Sequence, residues 1–157
     1  MAKEISTAGI QVYYATESTA GTRPTSGYTN LAHVKEIPEF DPGANGLQVT
    51  DLSDLVWHRY IPGLKDAGDD FAFTINAVEE TITAWDALVA TAKTAYEAGK
   101  RTWFAFVVPN WTKAFYIAGL PQSAGFAGAS VDEVFDGTLH ITPCDVAGWQ
   151  AAPTLSA

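Results

Sequence analysis

The chain has 157 residues, a length that predicts one domain and excludes a multi-domain enzyme. Hydrophobic residues make up 47% of it, enough for a self-sufficient core, whereas charged residues make up only 17%, below the roughly 25% of an average globular chain. A formal charge of −9, with the nine basic residues scattered along the chain, argues against tight binding of nucleic-acid phosphates.

The N-terminal part predicts strands separated by loops. Residues 10–14 alternate as a strand does, and the Ser-, Thr- and Gly-rich run 16–29 predicts a long loop. Residues 33–37 and 47–50 predict a pair of strands joined by a turn-rich connection. Residues 51–68 have no period but contain large apolar side chains, namely Leu52, Leu55, Val56, Trp57, Tyr60, Ile61 and Leu64. Because such long loops are usually functional, we expect 51–68 to protrude and to dock against something.

The central part predicts a strand and then the one helix. Phe71, Phe73 and Ile75 share one face of a half-buried strand over 70–78. Thr83 with Asp86 resembles a capping box at the start of the helix. Gly99 marks the end of the helix. Its apolar stripe comprises Ile82, Trp85, Leu88, Val89, Ala92 and Tyr96.

The C-terminal part predicts three more strands. Residues 102–108 are apolar on both faces, as expected of a covered central strand, and 113–120 and 131–142 follow as further strands. Residues 149–157 show no pattern and are expected to be a mobile tail. The sequence therefore predicts a mainly β fold with one α-helix, a two-sheet β-sandwich or small barrel with the helix packed on its flank.

No motif predicts catalysis, a metal or a cofactor. His33, His58 and His140 lie on separate segments without metal-ligand spacing. The single Cys144 has no partner for an internal disulfide and is expected to be a small buried hydrophobe. No phosphate-binding glycine motif, nucleophile elbow, signal peptide or membrane span is found. We therefore expect no catalytic residue, and a hydrolase is the least favoured class.

The five tryptophans leave one alternative open. Trp85 and Trp103 are expected in the core, whereas Trp57, Trp111 and Trp149 are candidates for stacking on sugar rings. The alternative function is therefore a β-sandwich carbohydrate-binding module.

The order of the predicted elements resembles that of the major tail tube proteins of long, non-contractile-tailed bacteriophages. The match covers about residues 5–145, and its most typical passages are PGLKDAGD, leading into the Phe-rich strand, and VDEV, before the last strand. The resemblance implies a tail tube fold similar to the tube protein of type VI secretion systems. It also implies six subunits per ring, a continuous β-barrel as the inner wall, and stacked rings through which the genome leaves.

The resemblance implies that function resides in the surfaces of one domain, residues 1–157. The N-terminal arm, 1–9, and the protruding loop, 51–68, would reach adjacent subunits or rings, with contacts from Ile5, Leu55, Trp57, Tyr60 and Leu64. The implied partners are further copies of the chain, a tape measure protein inside the tube, and tail terminator and distal tail proteins at its ends. DNA would pass without tight binding and no membrane would be involved. The subunit would be made in the bacterial host cytoplasm and would reside in the virion tail.

Two physical arguments agree with a ring. Joining sheets across subunits would protect exposed strand edges. Six copies carry 6 × −9 = −54 formal charges, and walls of the same sign as DNA would not trap its phosphates. Since salt screens charges over roughly 8–10 Å, only carboxylates near the lumen count. Asp136, on the polar face of the last strand, is the first candidate and Asp132 the second; the competing interpretation is that the acidity serves solubility alone.

Overall fold

The computed structural model describes residues 6–40, 44–65, 68, 70–126 and 128–155. Within these ranges the chain is mainly β with one helix, which confirms the predicted fold class. The elements, in chain order, are β1 (Gln11–Thr16), β2 (Thr29–Leu31), β3 (Val34–Glu36), β4 (Ala44–Gln48), β5 (Tyr60–Lys65), β6 (Phe71–Asn76), α1 (Glu79–Glu97), β7 (Thr102–Val107), β8 (Lys113–Pro121) and β9 (Asp136–Ala151).

Seven of these strands form one antiparallel sheet in the order β2-β1-β7-β8-β9-β6-β3, which curls into a nearly closed barrel. Its two edge strands, β2 and β3, follow one another in the chain and are joined by Ala32 and His33. His33 adopts a left-handed φ of 63°, and its carbonyl accepts a hydrogen bond from the Asn76 amide at 3.0 Å. The gap between the sheet edges is therefore crossed by the chain itself.

The main core lies between one face of this sheet and α1. Phe73, Phe104 and Leu139 are fully buried there, together with Trp85 from the helix. The Trp85 indole N–H also donates to the Gln122 carbonyl at 2.7 Å, so the polar edge of the ring is satisfied. Each large apolar side chain buried in this way contributes on the order of 1.5–3 kcal/mol.

The predicted helical stripe is confirmed apart from Tyr96. Trp85, Leu88 and Ala92 are buried, and Ile82 and Val89 pack partly buried against the core, but the Tyr96 side chain is exposed.

The predicted helix end is confirmed, and the predicted start is wrong. Gly99 has a φ of 77°, and its amide donates to the Tyr96 carbonyl while that of Lys100 donates to Ala95, the pattern of a Schellman C-cap. The helix begins at Glu79 after Val78, which makes no side-chain cap. Thr83 therefore lies one turn inside the helix. Its hydroxyl donates to the Glu79 carbonyl at 2.9 Å and does not cap the N-terminus.

The opposite face of β7 and β8 is covered by the long loop after β1, so both faces of β7 are buried as predicted. Tyr28 packs against Tyr116 with ring centroids 6.1 Å apart, and Arg23 lies 4.0 Å above the Tyr116 ring. The Tyr28 hydroxyl donates to the Pro24 carbonyl at 2.8 Å. The Ser/Thr/Gly loop is therefore a packed cover with its own aromatic anchor.

The predicted pair of strands at 33–37 and 47–50 is wrong. β3 pairs with β6, and β4 pairs with β5. The turn-rich residues between them lie partly outside the described residues, and each of the two strands pairs with a strand that follows later in the chain.

The C-terminal residues also differ from the prediction. β9 continues to Ala151, and the amides of Ala152 and Thr154 then donate to the carbonyls of Thr112 and Thr25. Pro153 is buried. The segment from Gln150 to Thr154 is therefore paired with neighbouring segments, because backbone hydrogen bonds replace the hydrophobic pattern that the sequence lacks.

Cys144 is exposed and not buried as expected. It follows Pro143, where the register between β8 and β9 shifts next to Gly119. This irregularity breaks the simple alternation that would place position 144 inside.

Candidate functional site

The predicted protruding loop is largely a β-hairpin. β4 and β5 form a separate two-stranded sheet, with Leu47 opposite Ile61 and Gln48 opposite Tyr60. Residues 60–65 are therefore a strand, which corrects the expectation of a loop throughout 51–68, and the turn between the strands is 49–59. Four large apolar side chains of this turn, which we call the hairpin tip, are mostly exposed: Leu52 at 100%, Leu55 at 90%, Val56 at 79% and Trp57 at 81%.

A polar network holds the turn in one shape. The Arg59 guanidinium donates to Asp54 at 2.8 Å and to Asp51 at 3.1 Å, and the Asp51 amide donates to the Asp54 carboxylate at 2.9 Å. Hydrogen bonds from the Ser53 hydroxyl and amide lower the pKa of Asp51. Those from the Asp51 amide and then Arg59 lower the pKa of Asp54. Both carboxylates therefore stay ionised, and the hairpin tip is presented on a preorganised frame.

Four of the five predicted contact residues lie on this hairpin. Leu55, Trp57, Tyr60 and Leu64 are all exposed. The fifth, Ile5, lies outside the described residues, as does most of the N-terminal arm. The structure thus brings the hairpin candidates together on one element.

A second exposed apolar surface was missed by the sequence analysis. Phe126, Val131, Val134 and Phe135, which we call the 126–135 patch, are 82%, 89%, 71% and 47% exposed. The Phe126 and Phe135 rings lie 5.6 Å apart. The available signal was the presence of two phenylalanines and two valines in and beside a stretch otherwise rich in Gly, Ala and Ser.

The two predicted acidic residues lie in different settings. Asp136 begins β9 and is ion-paired with Lys35 at 2.8 Å. Asp132 is exposed with a φ of 64°, inside the loop that carries the 126–135 patch. On the polar face of β6 and β9, His140 also lies 2.9 Å from Asp70. Lys35 therefore places a positive charge beside Asp136, which reduces the local negative potential that the sequence alone suggests.

Two tryptophans lie at the other end of β9. Trp111 and Trp149 are about half-exposed, with ring centroids 5.6 Å apart and planes tilted by 48°, and Trp149 also contacts Phe115. Among the described residues no aromatic contact links Trp57 to this pair. Trp85 and Trp103 are buried in the core as predicted.

Beside Trp149 lies a groove of about 540 Å³, lined by residues before β1, by β3 and the segment after it, and by residues in or next to β7, β8 and β9. Its lining is mainly apolar. The charged residues in it are Glu36 and Lys35, and the Lys35 ammonium pairs with Asp136. The groove therefore lacks the converging polar groups that mark a catalytic pocket. The apolar residues that line it are Ile10, Val34, Ile37, Pro38, Phe40, Phe106, Val108, Phe115 and Trp149.

The residue that follows β1, Glu17, carries a buried carboxylate. The Glu17 side chain is fully buried and accepts hydrogen bonds from the Arg101 guanidinium at 2.9 Å, the Trp103 indole at 2.8 Å and the Gly21 amide at 2.8 Å. Burial alone would raise the pKa of Glu17, but these hydrogen bonds together outweigh it and lower the pKa. Arg101 also pairs with Asp145. Because every Glu17 oxygen is satisfied, the network ties the loop after β1 to β7 and β9 without offering a free reactive group.

The described residues contain no cluster of three or more His, Cys, Asp or Glu side chains placed to hold a metal ion. His58 lies on the hairpin, where its ring is hydrogen-bonded to the Gln48 side chain at 2.9 Å. His140 lies on β9 and is hydrogen-bonded to Asp70, so these two histidines lie on separate elements. In the described ranges no helix combines the length and hydropathy of a membrane span.

One long backbone edge is open. Residues 136–141 of β9 pair with β6, and 141–151 pair with β8, so over 142–151 β9 has a described neighbour on one side only. The edge strands β2 and β3 are three residues long, which limits unwanted pairing there. Within the seven-stranded sheet, the second half of β9 is therefore the longest edge to which another strand could add.

No protein-family model and no curated protein sequence matches this chain. Solved structures do share its fold. A chain of the anti-feeding prophage (AFP) baseplate, determined by cryo-EM and 6-fold symmetrised, aligns with a TM-score of 0.60 and 12% identity, covering 96% of this chain and 98% of that one. A chain from the tail of an empty GTA particle, helically refined in C6 symmetry, aligns with a TM-score of 0.57 and 12% identity, covering 95% and 99%. The fold of nearly the whole chain is thus one found in chains of two six-fold symmetric particles.

Proposed function

We propose that this chain is a structural subunit of a phage-type virion tail, which assembles as six-membered rings stacked into a tube that conducts the genome into the host. The observation that carries the proposal is the likeness, over almost the whole of both chains, to subunits of two particles with six-fold symmetry. We propose in addition that the chain is a tail tube protein and that it does not catalyse a reaction.

The hairpin supports an assembly role. A folded monomer gains nothing by holding four large apolar side chains in water on a rigid turn, and such surfaces usually mark protein interfaces. The predicted contact residues Leu55, Trp57, Tyr60 and Leu64 would contact the adjacent ring or subunit, with Ile5 of the N-terminal arm.

The open edge of β9 supports ring closure. Pairing of residues 142–151 with a strand of the next subunit would satisfy backbone groups that have no described strand partner on that side. Repeated six times, this contact would close a continuous inner wall.

The remaining parts of the proposal concern the bore and the ends of the tube. Asp136 and Asp132 would lie at or near the lumen, where the net charge of −9 per subunit keeps DNA from adhering, although Lys35 offsets Asp136. A tape measure protein would fill the tube before ejection, and tail terminator and distal tail proteins would cap its ends.

The test is negative-stain electron microscopy of the purified, concentrated protein together with sedimentation velocity. Rings and tubes with six-fold end views are expected. A protein that stays monomeric at all concentrations, salt levels and pH values would contradict the proposal.

Trp57→Asp sharpens the test. Because Trp57 is exposed in the monomer, the substitution should leave the unfolding temperature nearly unchanged while abolishing stacking. Tyr96→Asp, which changes another exposed aromatic residue but on α1, is the matched control and should still form tubes. If Trp57→Asp unfolds the protein, the residue belongs to the core and the interface assignment is wrong.

The paired rings of Trp111 and Trp149 favour carbohydrate binding as the second candidate. Glycan-array binding that is lost in Trp111→Ala, in a protein that does not self-assemble, would replace the tail proposal with this one.

A further inference from the structure

The 126–135 patch and the apolar groove lie at the two ends of β9. The patch ends at Phe135, the residue before the first residue of β9, and the Phe135 carbonyl accepts a hydrogen bond from the Ala77 amide at 2.9 Å. Trp149, two residues before the last residue of β9, lines the groove and contacts Trp111. None of the four patch residues is among those that line the groove. The subunit therefore does not cover one of these surfaces with the other.

The two surfaces differ in shape. The side chains of Phe126, Val131 and Val134 project from the patch, since most of each side chain is exposed to solvent. The groove is concave, and its volume of about 540 Å³ and apolar lining resemble those of sites that enclose apolar groups. Projecting apolar side chains of a second copy can fill such a groove, whereas two projections or two grooves cannot fill one another.

The patch carries a strongly acidic rim. Asp132 and Glu133 lie within it, and Glu79 and Glu80 begin α1 two residues after Ala77, whose amide is bonded to the patch. All four carboxylates are exposed, and none has an ion-pair partner among the described residues. A partner for the patch must therefore offer positive charge beside an apolar surface.

The groove offers that charge. Lys113 is exposed and lies on the same face of β8 as Phe115, whose cross-strand neighbour is Trp149. Within the part of the chain that the structure describes, Lys113 forms no ion pair. Lys35 and Glu36, which line the groove, carry opposite charges. The hairpin tip offers no such cation, because the arginine behind it is already paired with two carboxylates.

We propose that the 126–135 patch of one subunit docks in the apolar groove of a second copy. Phe126 enters the groove, and Glu133 lies opposite Lys113 at its rim. The inference rests on the proposed self-assembly. Because the contact uses the two ends of β9, it joins copies end to end, repeats without limit and leaves the backbone edge over 142–151 free for ring closure. It is therefore a contact between stacked rings.

Disulfide trapping between two variants tests this contact. In a Cys144→Ser background, Val134→Cys places a thiol in the patch, and Ala151→Cys places one on the face of β9 that carries Trp149. Ala90→Cys, at an exposed position of α1, replaces Ala151→Cys in the control mixture. Equal mixtures are concentrated, mildly oxidised and separated on a non-reducing gel. The patch–groove mixture should give about ten-fold more covalent dimer than either variant alone or than the control mixture.

Charge reversal supplies a second measurement. Lys113→Glu and Glu133→Lys should each raise the protein concentration at which tubes appear by about ten-fold, because each substitution places like charges in contact. Both substitutions in one chain should return that concentration to near the wild-type value. Lys93→Glu, which changes an exposed lysine of α1, is the control and should leave it unchanged.

The outcomes separate this inference from the function on which it rests. Tubes without the patch–groove disulfide and without charge rescue would overturn the docking contact but leave the tube intact. A dominant disulfide between two Val134→Cys chains would overturn it in favour of a symmetric contact between patches. The patch–groove disulfide in a protein that forms no tubes would support the contact and contradict the tube. Absence of both assembly and cross-linking would overturn the contact and the proposed function together.

Discussion

Replacing Glu17 with glutamine tests the buried network that joins the loop after β1 to β7 and β9. The carboxylate is fully buried and accepts hydrogen bonds from Arg101, Trp103 and Gly21. Glutamine keeps the size of the side chain, but it removes the charge and turns one of the two acceptor oxygens into a donor that faces another donor.

The expected loss follows from the geometry. Removing one partner of a buried ion pair costs about 3–5 kcal/mol, because the other charge is left uncompensated. Arg101 is partly solvated and keeps its pairing with Asp145, and glutamine keeps one acceptor. We therefore expect Glu17→Gln to lower the free energy of unfolding by about 2–4 kcal/mol. At roughly 2–4 °C per kcal/mol for a chain of this size, the unfolding temperature should fall by roughly 4–16 °C.

Chemical denaturation followed by circular dichroism measures this loss, with Asp145→Asn as control. Asp145 is half-exposed, so its substitution should cost about 0–1 kcal/mol. Equal losses for the two variants would refute the reasoning that burial makes the Glu17 contacts valuable.

The pH dependence gives a further check on Glu17. The pKa of its carboxyl is lowered in the folded protein, so its contribution is present above the ordinary value near 4.5 and is lost as the pH falls through the folded pKa. The stability gap between wild type and Glu17→Gln should be full at neutral pH and close in acid. A gap that persists unchanged in acid would show that charge is not its cause.

Two further predictions concern packing and ionisation in the sheet. Gly119→Ala should lower the free energy of unfolding in urea by about 1–3 kcal/mol, because a Cβ there would clash with the Ile141 side chain and lie 2.8 Å from the Thr142 carbonyl oxygen. Gly125→Ala, where a Cβ meets open space, is its control, and equal effects would contradict the argument. Burial first, and then neighbouring Tyr116, raise the pKa of Tyr28 to about 12, so its stabilising contribution should be present below pH 10 and be lost as the pH rises through 12. Burial also raises the pKa of Tyr14 and of Tyr116, so ultraviolet titration should show several late-ionising tyrosines, and Tyr28→Phe should reduce their number by one. Ionisation of all tyrosines together near pH 10 in the folded protein would disprove the prediction.

The sequence predicted best those elements whose own pattern decides their structure. The helical stripe through Trp85, Leu88 and Ala92 has a clear period, and the strand 102–107 is a continuous apolar run. In both, the side chains that the pattern predicts to be buried are buried in the structure. Pairing was predicted less well, because β3 joins β6 across some 40 residues and no local pattern encodes that partner. Residues 151–154 were missed for a related reason, since backbone hydrogen bonds and not apolar side chains hold them in place.

Of the two exposed apolar surfaces, the sequence predicted the one on the hairpin and missed the 126–135 patch. An aperiodic segment with Leu55, Trp57 and Leu64 signals an exposed apolar surface, although its hairpin depends on cross-strand pairing that the sequence does not show. The 126–135 patch escaped notice because Val134 and Phe135 fit an alternating strand, whereas β9 begins only at Asp136. A strand pattern predicts alternation but not the residue at which pairing starts.

The pairing of β1 has a consequence for how the chain is made. Gln11 lies opposite Val107, 107 − 11 = 96 residues later in the chain. At a synthesis rate of about 5–20 residues per second, β1 must wait roughly 5–20 s on the ribosome before its central partner emerges. Such long-range pairing also slows refolding of the complete chain. Newly made subunits therefore expose unpaired strands and apolar side chains until the barrel can form. During this interval a chaperone would have the greatest effect on yield.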